Sequence, residues 1–198
     1  MTTMLRSEEL KINLEEIKKK IPNNVRLVAV SKTKPIEDIL SIYNCGQRHF
    51  GENVQELVEK AEVLPKDINW HFIGTLQSNK AKALAAVPNL FLVETLGFLL
   101  IFSVVDISFT GSVKAANSLN KACEIRKEKL KVYIQVNTSG EESKSGINPN
   151  DAVQFAKHVI TECHFLDLAG LMTIGFANPD LPNMKNPDFE VFFSFGTI

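Results

Sequence analysis

Two lysines set two residues apart, Lys32 and Lys34, follow the apolar run Arg26-Leu-Val-Ala-Val-Ser31. If the extended chain persists that far, side chains two apart share one face. Each ammonium then disfavours the other's charge, and partial burial adds to the effect. A lysine whose pKa is lowered in this way is the nucleophile that Schiff-base chemistry requires. From spacing alone, a pair of solvated lysines at a strand end is the simpler reading. Asn53 closes a second such end, Gly51-Glu52-Asn53. Its amide can donate or accept toward a polar ligand, or it can cap the helix that follows, and both readings stand. Gly140 to Gly146, which includes Lys144, is a polar loop bounded by glycines. Gly170-Leu-Met-Thr-Ile-Gly175, with Met172 and Thr173 at its centre, ends on a glycine that permits close approach of a ligand or another backbone.

Other chemistries find less support. His71, between Trp70 and Phe72, reads as a packed core histidine, and His49 is similar. His158 and His164 fall on or beside a surface helix. No two of the four have a metal-ligand spacing, so no metal is expected. There is neither a P-loop nor a GxGxxG. With 22 basic against 23 acidic residues and no basic face interleaved with aromatics, nucleic acid is not an expected partner. The one like-charge run, Lys18-Lys19-Lys20, suits the negative pole at the end of a first helix. Cys45, Cys123 and Cys163 are widely spaced and form no CxxC, which suggests free thiols in a reducing compartment.

The elements that must position these residues alternate. Strands are expected at 26–31, 47–50, 70–74, 90–94, 129–136 and 166–173, and helices at 36–43, 54–62, 78–86, 112–128 and 150–162. Pro35 opens the first of these helices at a favoured position. Strand-then-helix units in series argue for a parallel sheet, either doubly wound or closed as a barrel. In both, chemistry gathers at the carboxyl ends of the strands. Lys32, Asn53, Met172 and Thr173 all fall there.

A chain of 198 residues fits one domain and can bury a sizeable core. Its N-terminal stretch is helical in period and acidic throughout, unlike a signal or transit peptide, so a cytoplasmic location is expected. Leu96 to Phe109 is apolar but short of the roughly 20 residues of a membrane span and is interrupted by Asp106. No membrane association is expected.

At these same residues the sequence resembles the pyridoxal phosphate homeostasis family. The matching stretches are RLVAVSKTKP (Arg26 to Pro35), HFGEN (His49 to Asn53), WHFIGTLQSNK (Trp70 to Lys80), VPNLFLVET (Val87 to Thr95), Tyr133 to Gly146, and GLMTIG (Gly170 to Gly175). They occur in order over roughly residues 10 to 95 and 112 to 191, and together they are specific where each alone is weak. The resemblance implies an α/β, TIM-barrel-like fold of the alanine racemase N-terminal domain type. It implies pyridoxal 5′-phosphate as cofactor, held on Lys32 as an internal aldimine. Lys34 would lie near the ring, Asn53 would face the pocket, and Met172 and Thr173 would lie beside the ring. Lys144 would belong to the same cofactor region. The implied role is a monomeric, non-catalytic carrier in vitamin B6 homeostasis, with PLP-dependent apo-enzymes as possible recipients. Alternatives are a racemase-like or Schiff-base enzyme on the same scaffold, and a truncated chain that does not bind.

Three departures from the family pattern bear on this. Gly51-Glu-Asn-Val-Gln-Glu56 is one residue shorter than the usual GENYxQE, which would rotate the next helix. Residues 97–111 form an atypical apolar insertion where members pass directly from strand to helix. The sequence stops at Ile198, before two further strands that in the family carry a phosphate-holding Arg-Ile-Gly motif. The expectation is therefore a single partial barrel domain over 1–198, incomplete at its C-terminus. A phosphate lacking those donors would be weakly held.

Overall fold

The computed structural model describes residues 2–97, 107–141 and 145–175. An N-terminal helix α1 (Thr2–Lys20) precedes six strands: β1 (Ala29–Val30), β2 (His49–Glu52), β3 (Asn69–Phe72), β4 (Leu90–Leu96), β5 (Leu130–Gln135) and β6 (Leu166–Met172). Between them run α2 (Ile36–Asn44), α3 (Val54–Val63), α4 (Ala81–Ala85), α5 (Ile107–Ala122) and α6 (Pro149–Glu162). The strands are all parallel and lie side by side in chain order.

That order decides between the two architectures the sequence left open. A doubly wound sheet reverses its strand order at a switch point and carries helices on both faces. Right-handed crossovers that always step in one direction put every helix on the same face and curl the sheet as in a TIM barrel. The chain follows the second course. Among the described residues, β1 pairs only with β2 and β6 only with β5.

The main core fills the helix-covered face. Phe50, Trp70, Phe72, Val93, Val132 and Ile134 from the strands pack against Ile39, Leu57, Leu84, Leu119, Phe155 and Val159 from the helices. Each such side chain contributes about 1.5–3 kcal/mol on burial. The helices present their stripes by spacing: α6 buries Ala152, Phe155, Ala156 and Val159, the i, i+3, i+4, i+7 pattern of a one-sided helix. Asn148 caps its start by accepting from the Asn150 N–H, and Pro149 takes the first turn.

Strand alternation turns His49, Gly51 and His71 to the opposite, inner face. A Cβ at Gly51 would come within 3.0 Å of Ile73 Cδ1 and 3.5 Å of Val28 Cγ1. A side chain at residue 51 would therefore require the Ile73 side chain to shift.

Most boundaries shift by one or a few residues from the sequence reading, and three differences bear on the site or the 97–111 segment. β1 spans two residues rather than 26–31, since as an end strand it has a ladder on one side only. The third helix is a single 3-10 turn (Ser78–Lys80) followed by the short α4. α5 begins at Ile107, not Ser112, so the last part of the 97–111 segment is helical. The reason is that Phe109, Val113 and Ala116 continue one apolar stripe; the Phe109 ring meets Phe155 edge-on at 6.3 Å. Residues 98–106 and Lys144 lie outside the described residues. Among the described residues no helix is long and apolar enough to cross a membrane, and no group of His, Cys, Asp or Glu is placed to hold a metal.

Candidate functional site

The strand before Lys32 ends at Val30, and Ser31 to Lys34 form a β-turn closed by the Lys34 N–H donating to the Ser31 carbonyl at 3.0 Å. Thr33, the third residue of that turn, has φ 65°. A turn with positive φ there is of type II and ordinarily takes glycine. A β-branched residue in this region is an outlier and costs roughly 1–3 kcal/mol, so the surroundings must over-determine it.

They do so from the helix-covered side. Lys60, on α3, donates through Nζ to the Ser31 carbonyl at 2.9 Å, to Glu52 Oε1 at 2.5 Å and to Glu56 Oε2 at 2.8 Å. The Ser31 hydroxyl donates to Glu52 Oε1 at 2.9 Å, and the Thr33 N–H donates to Glu56 Oε2 at 2.7 Å. The Ser31 N–H extends the ladder to the Gly51 carbonyl at 2.9 Å. The turn carrying Lys32 thus hangs on two carboxylates and one ammonium. The Glu52 side chain is 0% exposed and that of Lys60 is 9% exposed. Burial pushes the Glu52 carboxyl above the usual carboxylate range, against the opposing hydrogen bonds from Lys60 and Ser31. Burial also works against the Lys60 ammonium, but its bonds to Glu52 and Glu56 outweigh this and hold its pKa above the ordinary lysine value. Glu56 is held low, chiefly by Lys60.

The expected site residues fall as follows. Lys32 and Lys34 are both exposed and their ammonium groups have no hydrogen-bond partner among the described residues. They stand on a turn rather than on a continuing strand, so strand alternation does not align them, and burial is available to neither ammonium. Asn53 caps α3: its Oδ1 accepts from the Glu56 N–H at 3.0 Å, and its Nδ2 donates to Glu56 Oε1 at 2.8 Å. Glu56 therefore ties Asn53 and the Lys32 turn into one network. At the end of β6 the Thr173 hydroxyl pairs with that of Thr138 at 2.7 Å and accepts from the Gly175 N–H at 3.3 Å. The Met172 carbonyl accepts from the Val136 N–H at 2.9 Å, and its side chain is half-buried. These residues share the carboxyl-end rim, but no described contact joins Met172 or Thr173 to Lys32.

Sequence reasoning missed Glu52, Glu56 and Lys60. The signal was present. Lys60 falls on the buried stripe of α3 with Leu57 and Ala61, and Glu52 shares the helix-covered face with Phe50 by period two. Opposite charges in two core-facing phases of adjacent elements are a reason to look for a buried pair.

One-directional parallel winding, with an unpartnered lysine just past the first strand and polar residues along the same rim, defines the class as a TIM-barrel-like α/β fold. The chain belongs to the family described as alanine racemase, N-terminal domain, which it matches over residues 5–195. It is 46% identical over 169 residues to the pyridoxal phosphate homeostasis protein of Schizosaccharomyces pombe, covering 85% of this chain and 65% of that one. It is 46% identical over 177 residues to that of Homo sapiens, covering 85% and 59%. The chain thus spans about six-tenths of the length of these relatives. Among solved structures it is similar to an unknown protein from Bifidobacterium adolescentis, with TM-score 0.78 and 27% identity over 96% of this chain and 78% of that one. It is also similar to PipY of Synechococcus elongatus with PLP bound, with TM-score 0.66 and 29% identity over 85% and 72%. An alanine racemase of Clostridium difficile, 14% identical with TM-score 0.70 over 94% and 46%, shares the fold alone.

The rim fits a phosphorylated aldehyde in kind. It offers a free amine at Lys32, a neighbouring cation at Lys34, the hydroxyl pair Thr138–Thr173, and Gly175 with φ 72° just past β6.

Proposed function

We propose that this chain binds pyridoxal 5′-phosphate through Lys32 and serves intracellular vitamin B6 homeostasis as a carrier rather than an enzyme, in the cytoplasm. The observation that carries the proposal is the exposed, unpartnered Lys32 amine on a turn fixed by Glu52, Glu56 and Lys60. The cofactor supplies an aldehyde that condenses reversibly with a primary amine, releasing water.

The chain's own residues do the rest. Lys32 supplies the amine, and the turn fixes where that amine stands. Lys34 adds a positive charge beside it that attracts the phosphate. Asn53, Met172, Thr173 and Lys144 complete the proposed binding set. The relatives this chain matches are named homeostasis proteins, which favours holding over turnover. Exposure of Lys32 lets water or another amine reach it, so release to a PLP-dependent apo-enzyme needs no opening of the fold. The carrier acts as a monomer.

The test is a visible spectrum of the purified protein mixed with pyridoxal 5′-phosphate, followed by borohydride reduction and peptide mapping. A new visible band with the reduced adduct on Lys32, lost in Lys32→Ala, is expected. Adducts scattered over surface lysines would refute the site, and racemisation of an amino acid by the loaded protein would refute the carrier role.

A further inference from the structure

We infer that the opposite, amino end of the sheet carries a second binding site, for a small oxyanion that itself donates a proton, of the hydrogenphosphate type, built from His49, Arg26 and Lys18. On the inner face, three strands line up a hydrogen-bonded chain: Glu94 Oε1 to His71 Nδ1 at 2.6 Å, and His71 Nε2 to His49 Nδ1 at 2.8 Å. A carboxylate only accepts, so His71 Nδ1 carries a proton. With both rings neutral, His71 Nε2 accepts and His49 Nδ1 donates. His49 Nε2 is left with a lone pair and has no partner among the described residues. Glu94 thereby fixes, through two rings, which nitrogen His49 presents as an acceptor.

His49 lines an open cavity of about 350 Å³ between the end of α1, the segment 21–27 and the turn before β2. The cavity is lined by three cations, Lys18, Arg26 and Arg48, and by no carboxylate. Arg48 is already committed to Asp67 at 3.0 Å and to the Tyr43 ring at 3.9 Å. Arg26 lies over the Phe91 ring at 5.1 Å, and neither it nor Lys18 has an ion-pair partner among the described residues. Burial, with His71 and Arg26 adding to it, lowers the His49 pKa to about 4, so the ring is a neutral acceptor at physiological pH.

Two unpaired cations beside one acceptor nitrogen specify the ligand. Its negative oxygens face Arg26 and Lys18, and one O–H donates to His49 Nε2. The amino end of such barrels ordinarily serves stability, and apolar residues would fill this layer without desolvating a carboxylate and two rings. A ligand that uses the fixed nitrogen accounts for retaining them. The site is distinct from that of Lys32: Arg26 precedes β1 and His49 begins β2, whereas Lys32 follows β1 at its carboxyl end and does not line this cavity.

A fully ionised oxyanion would set its own lone pair against His49 Nε2, which predicts roughly tenfold or weaker binding of sulfate than of phosphate. The experiment titrates inorganic phosphate, then sulfate at matched ionic strength, into the ¹⁵N-labelled full chain while following the His49 ring and Arg26 side-chain signals. Expected are a saturable phosphate response with His49 in the Nδ1–H form, the weaker sulfate response, and persistence of both in Lys32→Ala. Arg26→Met removes both responses, and His49→Gln removes the preference while leaving residual anion binding. Equal responses to the two anions, a response that survives Arg26→Met, or an Nε2–H His49 would overturn the site. Arg26→Met, at an exposed residue, keeps the test valid if His49→Gln does not fold.

Discussion

Replacing Lys60 with methionine leaves Glu52, a fully buried carboxylate, without its cation. Glu52 Oε2 already has no hydrogen-bond partner, so the variant cannot redistribute the charge locally. Removing one member of a buried pair costs about 3–5 kcal/mol, because the other charge stays uncompensated. With a urea slope of about 2 kcal/mol per molar, the midpoint falls by about 2 M at neutral pH. Trp70 is the only tryptophan and is fully buried, so its emission follows unfolding directly. The pH dependence has a definite sign. Without Lys60, the folded-state pKa of Glu52 rises further above its unfolded value, so above about pH 4.5 the folded state binds more protons than the unfolded one. The variant's stability is therefore greatest at acid pH and falls as pH rises through that window. Adding Glu52→Gln removes the buried charge and restores most of the loss, so the two substitutions are strongly non-additive. A Lys60→Met midpoint within about 0.3 M of the parent's, equal losses at pH 5 and pH 8, or no rescue by Glu52→Gln would refute the argument.

Thr33→Gly relieves the positive-φ strain at the cost of a more flexible unfolded chain, so a net gain near 1 kcal/mol is expected in urea unfolding; a loss would mean the threonine side chain has a contact that outweighs its strain. Asn53→Ala loses the cap and about 1 kcal/mol, while Asn53→Ser restores it. If Asn53 also touches the cofactor, the serine variant regains stability but not the visible band, and regain of both would assign Asn53 to capping alone. Burial pushes the Cys123 and Cys163 thiols up to about 11, and both are 1% exposed. A maleimide at neutral pH should therefore label the native protein at Cys45 alone, as read by mass spectrometry, and modification of either buried thiol before unfolding would contradict the packing.

The sequence resolved element type better than arrangement, for a physical reason. Alternating apolar runs and amphipathic stretches reveal each strand and helix locally, so five helices after the first and six strands were legible. Whether the crossovers all step in one direction is a non-local property that no window of residues carries. Residue resemblance, not periodicity, pointed to the barrel type. The limits of the site show the same division. Lys32 and Asn53 were visible because strand ends are visible. Glu52 and Lys60 were passed over because each, alone, reads as an ordinary charge; only their shared core-facing phase marks them. His49 and His71 read as packed histidines, and His71 is indeed buried. Their connection to Glu94 depends on the register of three strands, including an irregularity between Trp70 and His71 that sequence spacing could not supply.

Under the proposed function, the turn at Lys32 couples binding to folding in a specific way. Its strained Thr33 conformation persists because Ser31 and Thr33 are each gripped by charges from the helix-covered side. The amine itself makes no such contact. Substitutions at Glu52, Glu56 or Lys60 should therefore weaken folding and cofactor loading together, since both draw on the same bonds. Substitutions at Lys32 or Lys34, exposed and unpartnered, should alter loading and leave the unfolding midpoint within about 0.3 M, as surface changes ordinarily do. Loading measured by the reduced adduct against stability measured by Trp70 emission separates the two groups. A Glu56 variant that loses stability yet loads normally would show that the turn does not position the amine.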